Sequence, residues 1–227
     1  MRWLLFFYQF LTTFAPVFSA ISQAMIIKLY EQNTNIKDVV KVVYALRNGD
    51  LIIYPTDTVY AIGCDIFNPK AVEAICKYKG IDTRKMNLSF ICDDISMVSE
   101  FAKMSNTAFK LMKRNLPGPF TFILEGNSRL PKLFKQKKTV GIRIPDNSIV
   151  RAIVSELGNP IMTTSLKRDD DEIVEYYTDP ELIDEKLGKM VKYVVDGGIG
   201  TMEPSTIVDL TQDDYEITRQ GKGVLVE

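Results

Sequence analysis

Residues 51–63 read LIIYPTDTVYAIG. Leu51, Ile52 and Ile53 form a short apolar run of the kind that suits a buried strand. The run stops at Pro55, where hydroxyls and a carboxylate arrive together on Thr56, Asp57, Thr58 and Tyr60. Open α/β sheets hold ligands outside the carboxyl ends of their strands. On pattern alone the stretch reads as an ordinary strand-to-turn junction, so its weight depends on what surrounds it.

Upstream, Ile36, Val39, Val40, Val43 and Leu46 repeat at helical spacing over 35–48, and Gly49 supplies a stop. Downstream, Asn68-Pro69 reads as an N-cap with proline at the first helical position, opening a helix that closes at Gly80. Residues 87–92 read as a strand, 94–102 and 105–115 as short helices, and 120–125 and 139–144 as strands. A helix over 147–157 ends at Gly158. A strand over 161–164 and a helix over 179–189 follow, then strands near 191–195, 205–210 and 214–219. Helices and strands interleave with no linker, repeat or low-complexity segment. The expectation is one α/β domain with a twisted mixed sheet flanked by helices.

The chain has 227 residues, 46% hydrophobic and 25% charged, which is ordinary for a globular protein with a real core. A net charge of −1 gives no general attraction to nucleic acid. There is no histidine. That excludes Ser–His and Cys–His nucleophilic schemes and imidazole metal sites. Cys64, Cys76 and Cys92 have no paired metal spacing, and their odd number argues against a disulfide framework. They read as reduced core thiols of a cytoplasmic protein, and no metal site is expected. The adjacent aspartates at 169–171 read as part of a solvated loop.

Residues 1–24 differ from the rest. Trp3 to Ala20 carries no charge and follows Arg2, and Ser22 and Ala24 supply small residues for a cleavage site. Gln9, two threonines and Pro16 make it a poor membrane span. The signal-like reading stands beside a second one, translation starting at Met25, which is the expectation adopted. The domain is then 25–227, with no membrane association.

The opening stretch resembles the PT(D/E)TVYGLG-like motif of the YrdC/YciO family of threonylcarbamoyl-adenylate synthases and their relatives. PGPFT at 117–121, TVGIRIP at 139–145, PIMTTS at 160–165, DGG at 196–198, PSTIVD at 204–209 and RQG at 219–221 resemble further family segments, in family order, across roughly residues 25–227. Arg143 stands in an apolar run. Its own chemistry allows a buried ion pair, with Asp57 or Asp209, or a fork for a substrate carboxylate or phosphate. Ser205 and Thr206 read either as a strand-start cap or as phosphate ligands, and Arg219 as a surface charge or a nucleotide contact.

The resemblance implies a single YrdC-like domain around a concave cavity. It implies a reaction of L-threonine, bicarbonate and ATP, with Mg²⁺ accompanying ATP, giving threonylcarbamoyl-AMP and pyrophosphate for tRNA modification. It implies Lys79 and Ser165 as catalytic residues and Thr58, Arg143 and Thr121 toward substrate. Lys79, Ser165, Ser205 and Arg219 would face the nucleotide. Such chemistry rests on positioning and needs no covalent nucleophile.

The sequence departs from the synthases where a Lys-x-Arg pair reads Lys79-Gly80-Ile81 and a Ser-x-Asn pair reads Ser165-Leu166-Lys167. Ile91 occupies about the place of a family histidine. Arg84 or Lys85 are loop charges near the first of these. The departures, and the stretch from Thr163 to Ile183, resemble the YciO-type branch. Two readings follow: a synthase-like enzyme, weak or specialised, or a non-catalytic paralogue binding double-stranded RNA, tRNA or rRNA. The feature behind the second is the cluster Lys132, Lys135, Lys137 and Lys138, which otherwise reads as a solvated face. An ATP-using carbamoyl transfer to another amino acid is also open.

Overall fold

The computed structural model describes residues 24–82, 89–134, 137–166, 175–212 and 214–227. The leader to residue 23, Arg84, Lys85, Lys135, Lys167 and the acidic run lie outside them. The strands are β1 (Met25–Lys28), β2 (Ile52–Tyr54), β3 (Ala61–Asp65), β4 (Ser89–Ile91), β5 (Phe120–Glu125), β6 (Thr139–Arg143), β7 (Ile161–Ser165), β8 (Tyr193–Asp196), β9 (Thr206–Asp209) and β10 (Glu216–Arg219). The helices are α1 (Ile36–Arg47), α2 (Pro69–Lys79), α3 (Ile95–Phe101), α4 (Asn106–Asn115), α5 (Ser148–Leu157) and α6 (Pro180–Leu187).

The strands form one sheet in the order β1-β8-β2-β3-β7-β4-β6-β5-β9-β10. Its pairs are mixed: β1 with β8, β2 with β8, β4 with β6 and β5 with β9 are parallel, and the rest are antiparallel. Helices cover both faces, as expected of an α/β domain. On one face α1 and α5 pack through Val39, Val42, Ile149, Ile153 and Val154 against Ile52, Ile91 and Ile161. On the other, α2, α3, α4 and α6 pack against Phe90, Phe122, Ile142 and Met162. Each fully buried aliphatic or phenyl side chain contributes about 1.5–3 kcal/mol.

The helices begin where their caps stand. Asn35, Asn68, Asp94, Ser105, Asn147 and Asp179 each accept a backbone N–H of the first turn. Gly80 and Gly158 close α2 and α5 at φ values of 66° and 82°, where glycine carries no steric penalty.

Two strands escape the sequence reading. β1 is four residues long and abuts the leader. β3 has four of its five residues buried, so it shows no alternation to read. β3 nevertheless matters, because it carries the chain back from the 55–60 loop and pairs with β2 and β7. Gly63 in β3 is required there. A Cβ would lie 2.6 Å from Ile161 Cγ2 and 2.8 Å from the Tyr54 hydroxyl. The Tyr54 hydroxyl donates to Thr163 Oγ1 at 2.7 Å.

None of the described helices is long and apolar enough to cross a membrane. The three cysteines are free and buried.

Candidate functional site

The α1/α5 face of the sheet is not fully covered. In register across it stand Gly141, Ser89, Thr163 and Gly63, on β6, β4, β7 and β3. Residues paired across neighbouring strands share a face. A row of such small side chains leaves a hollow. Towards β10 the same face carries Arg143, then Thr121, and Ile207 in register with Arg219.

The hollow is a cavity of about 180 Å³, lined by Val59, Ser89, Thr121, Arg143, Thr163, Thr164, Ser165, Pro204, Ser205, Ile207 and Arg219. Among the described residues, six hydroxyls and two guanidiniums line it and no carboxylate does. The balance favours an anion. The volume is below the roughly 300–1,000 Å³ of pockets that enclose drug-sized ligands. It suits an amino acid or a phosphate group, and a nucleoside would extend beyond it.

Arg143 is 7% exposed. Its Nη2 donates to Thr58 Oγ1 at 2.7 Å and to Asp57 Oδ1 at 3.3 Å. Asp57 Oδ2 accepts the Asp146 N–H at 3.0 Å. Of the two carboxylates weighed from sequence, Asp57 is thus the ion-pair partner. Burial lowers the Arg143 pKa from its ordinary value, and the Asp57 charge opposes that. The Arg143 Nε is buried with no hydrogen-bond partner. Arg143 is thus the ion-pair partner of Asp57 and at the same time lines the cavity.

The 55–60 loop is built to hold Thr58. Thr56 Oγ1 accepts the Thr58 N–H at 3.1 Å and donates to the Val59 carbonyl at 2.8 Å. Its only proton is spent, so the 3.0 Å contact between the two hydroxyls has Thr58 as donor. Thr58 then accepts from Arg143, and one directed chain runs from guanidinium to backbone. Thr201 Oγ1 donates to the Thr58 carbonyl at 2.7 Å. Tyr60 serves elsewhere: its hydroxyl donates to the Gly198 carbonyl at 2.7 Å and accepts the Gly197 N–H at 3.1 Å, fixing the DGG turn.

The opposite wall is as closely tied. Thr121 Oγ1 and Ser205 Oγ lie 2.8 Å apart. Arg219 donates to the Ser205 carbonyl from Nη2 at 2.7 Å and Nε at 3.2 Å. Although solvent-exposed, it lines the cavity, and partial burial lowers its pKa. The charge of Arg219 also lowers the Arg143 pKa, as expected of two cations facing one space. Lys79 Nζ donates to the Ser165 carbonyl at 3.3 Å.

Of the residues singled out, Thr121, Arg143, Ser165, Ser205 and Arg219 line the cavity, whereas Thr58 is buried behind Arg143 and Lys79 reaches only the Ser165 carbonyl. Thr206 does not join them. It is fully buried, with its hydroxyl donating to the Gly223 carbonyl at 2.7 Å. As the first residue of β9 it points to the face opposite Ser205. Of the lysine cluster, Lys132 lies in a 3₁₀ turn and Lys137 and Lys138 precede β6, at the end of that strand opposite Arg143. None of these lines the cavity. Ile91 is fully buried in β4, in register with Arg143. Ser89, Thr163 and Thr164 were not singled out by sequence. The signal for Ser89 was its place as the small polar residue beside Phe90 in a short strand.

A profile of the family Sua5_yciO_yrdC, described as "Telomere recombination", matches residues 44–221. The uncharacterised protein YciO of Escherichia coli (strain K12) is 39% identical over 180 residues, covering 78% of this chain and 86% of its own. A threonylcarbamoyl-AMP synthase of Vibrio vulnificus (strain YJ016) is 28% identical over 193 residues, covering 83% and 99%. Among solved structures, E. coli YciO matches with a TM-score of 0.81 at 36% identity, over 88% of this chain and 97% of its own. P. abyssi Sua5 complexed with L-threonine matches with a TM-score of 0.78 at 25% identity, over 87% of this chain and 58% of that one. Family, sheet and flanking helices agree with the resemblance read from residues 51–63, and the relatives include threonylcarbamoyl-AMP synthases beside YciO. The chain belongs to the Sua5/YciO/YrdC family.

Proposed function

We propose that this protein is a threonylcarbamoyl-AMP synthase-like enzyme, slower than synthases that keep the Lys-x-Arg and Ser-x-Asn pairs. The observation that carries the reading is the buried Arg143 guanidinium, held by Asp57 and Thr58 at the wall of a cavity whose described lining offers hydroxyls, a second guanidinium and no carboxylate. The L-threonine carboxylate would take those donors, as a fork suits a carboxylate. Thr121 and Ser205 supply hydroxyls beside it. Support from outside the chain is the L-threonine complex of P. abyssi Sua5.

In this reading the amine nitrogen of threonine bonds to the bicarbonate carbon with loss of water. A carbamate oxygen then bonds to the α-phosphorus of ATP, and pyrophosphate leaves. Arg219, Ser205 and Ser165, as lining residues, and Lys79, through its bond to the Ser165 carbonyl, would meet the phosphates in this reading. Among the described residues no carboxylate lines the cavity, and no group of three or more His, Cys, Asp or Glu is placed to hold a metal ion. Mg²⁺ therefore fits as an ion carried by the triphosphate, where it would offset phosphate charge.

Ile81 replaces a phosphate-contacting arginine, at a cost of about 1.5–3 kcal/mol per lost charged hydrogen bond. That corresponds to roughly ten- to a hundredfold in rate or binding. The test is thermal unfolding with L-threonine, ATP and both together. The expected result is a larger rise in midpoint with both than with the separate rises summed. No rise with L-threonine at any concentration would refute the reading.

A further inference from the structure

A second cavity, of about 560 Å³, shares no lining residue with the first. It opens at the carboxyl ends of the parallel pair β4 and β6, where Asp93 follows one strand and Ile144 follows the other. Ligands of α/β sheets gather at such strand ends. The volume falls within the roughly 300–1,000 Å³ of pockets that enclose organic ligands. Ile95, Met104, Phe109, Leu116 and Ile144 give it an apolar middle. Phe109 is 40% exposed and leaves apolar surface open to the hollow.

Charges of both signs stand around this middle and have not closed on each other. Asp93 is half-buried, and no ion pair joins it to Lys113 or Arg151, which line the same hollow. Arg151 Nε is buried with no hydrogen-bond partner. Its Nη2 forms a long ion pair with Asp146 Oδ1, outside the hollow, at 4.0 Å, too far for a hydrogen bond. Lys113 Nζ sits 6.0 Å from the centre of the Phe109 ring. Asp94, by contrast, is already used, its Oδ1 accepting the Met97 N–H at 2.7 Å as the cap of α3. The Arg151 side chain is 35% exposed, so the rest of its guanidinium is open to a ligand carboxylate.

We propose that this second cavity binds a zwitterionic ligand with an apolar body, a dipeptide of large apolar residues. Its carboxylate lies on Arg151 and Lys113, its ammonium on Asp93, and its side chains on Phe109, Met104 and Leu116. The inference is independent of the reading of the first cavity, although Ile144 of this lining directly follows Arg143 of the other in the chain. Gly118 N–H, in the turn between Pro117 and Thr121, donates to the Ile144 carbonyl at 2.9 Å.

Calorimetric titration of the full chain with Leu-Phe tests it, with N-acetyl-Leu-Phe, Leu-Phe-amide and L-threonine as comparators. The expected result is saturable one-site binding of Leu-Phe. Blocking either terminus, Asp93→Asn and Arg151→Met should each weaken binding at least about tenfold, as for loss of a charged hydrogen bond. Arg219→Gln, at the first cavity, should leave it unchanged. Ser96 is exposed at the mouth, so Ser96→Trp should fill the space without disturbing the core and abolish binding. Absence of saturable binding, equal binding of the blocked peptides, or binding that survives Ser96→Trp would each overturn the proposal. So would loss in Arg219→Gln with retention in Asp93→Asn, which would place the peptide in the first cavity.

Discussion

Arg143 does two jobs with one side chain. Its pairing with Asp57 is almost wholly shielded, both side chains being 8% exposed. Removing one member of such a pair leaves the other charge buried and costs about 3–5 kcal/mol. Arg143→Met should therefore lower unfolding free energy by about 3 kcal/mol, and Asp57→Asn in the same background should recover part of it. A double-mutant cycle in urea measures this, and simple additivity of the two changes would deny the pair. The sequence showed that Arg143 needed a partner, but it offered both Asp57 and Asp209. Only the fold of the 55–60 loop decides between them.

A second expectation concerns buried neutral groups. Burial raises the pKa of Cys64 and Cys92 above the ordinary thiol value of 9.0, and of Tyr54 and Tyr60 above the phenol value of 10.0. The folded state holds these protons more tightly, so above pH 9 unfolding releases protons. Stability from these groups is complete below the ordinary values and is lost as pH rises towards the folded ones. Each group contributes a slope of up to about 1.4 kcal/mol per pH unit. Urea midpoints should fall above the thiol value, and Cys92→Ala should reduce the steepness by about one proton. A midpoint that rises with pH in that range would contradict the burial argument.

Among the secondary-structure elements, those legible in sequence were the ones with a period or a cap. α5 is an example: Asn147 caps it, its apolar residues recur at helical spacing, and Gly158 ends it. β3 was illegible because burial on both faces erases alternation. Its Gly63 was equally silent, since the need for it arises only when Tyr54 from β2 leans across to Thr163 on β7. Gly63→Ala should force these apart at a cost of about 1–3 kcal/mol. Because Thr163 lines the cavity, ligand affinity should fall with stability. Gly63→Ala with unchanged melting would show that the close approach is not tight.

For the molecule as a whole, the ordered motifs from residue 51 to 221 foretold one mixed α/β sheet, and the fold bears that out. The convergence of Thr58, Arg143 and Ser205 was stated from resemblance and is visible only in register. β6 brings Arg143 beside the start of β5, and the parallel β5–β9 pair brings Ser205 to Thr121. Of the lysine cluster, Lys137 and Lys138 fall at the far end of β6 because Arg143 is the last residue of that five-residue strand. Linear proximity signals a shared face only when the strand register agrees.

Release of pyrophosphate from ATP, followed with and without L-threonine and bicarbonate, probes the cavity's chemistry most directly. The account predicts release that requires both co-substrates. It should fall at least about tenfold in Arg143→Met and in Arg219→Gln, at an exposed position. Release that ignores L-threonine, or that is undiminished in both variants, would contradict it.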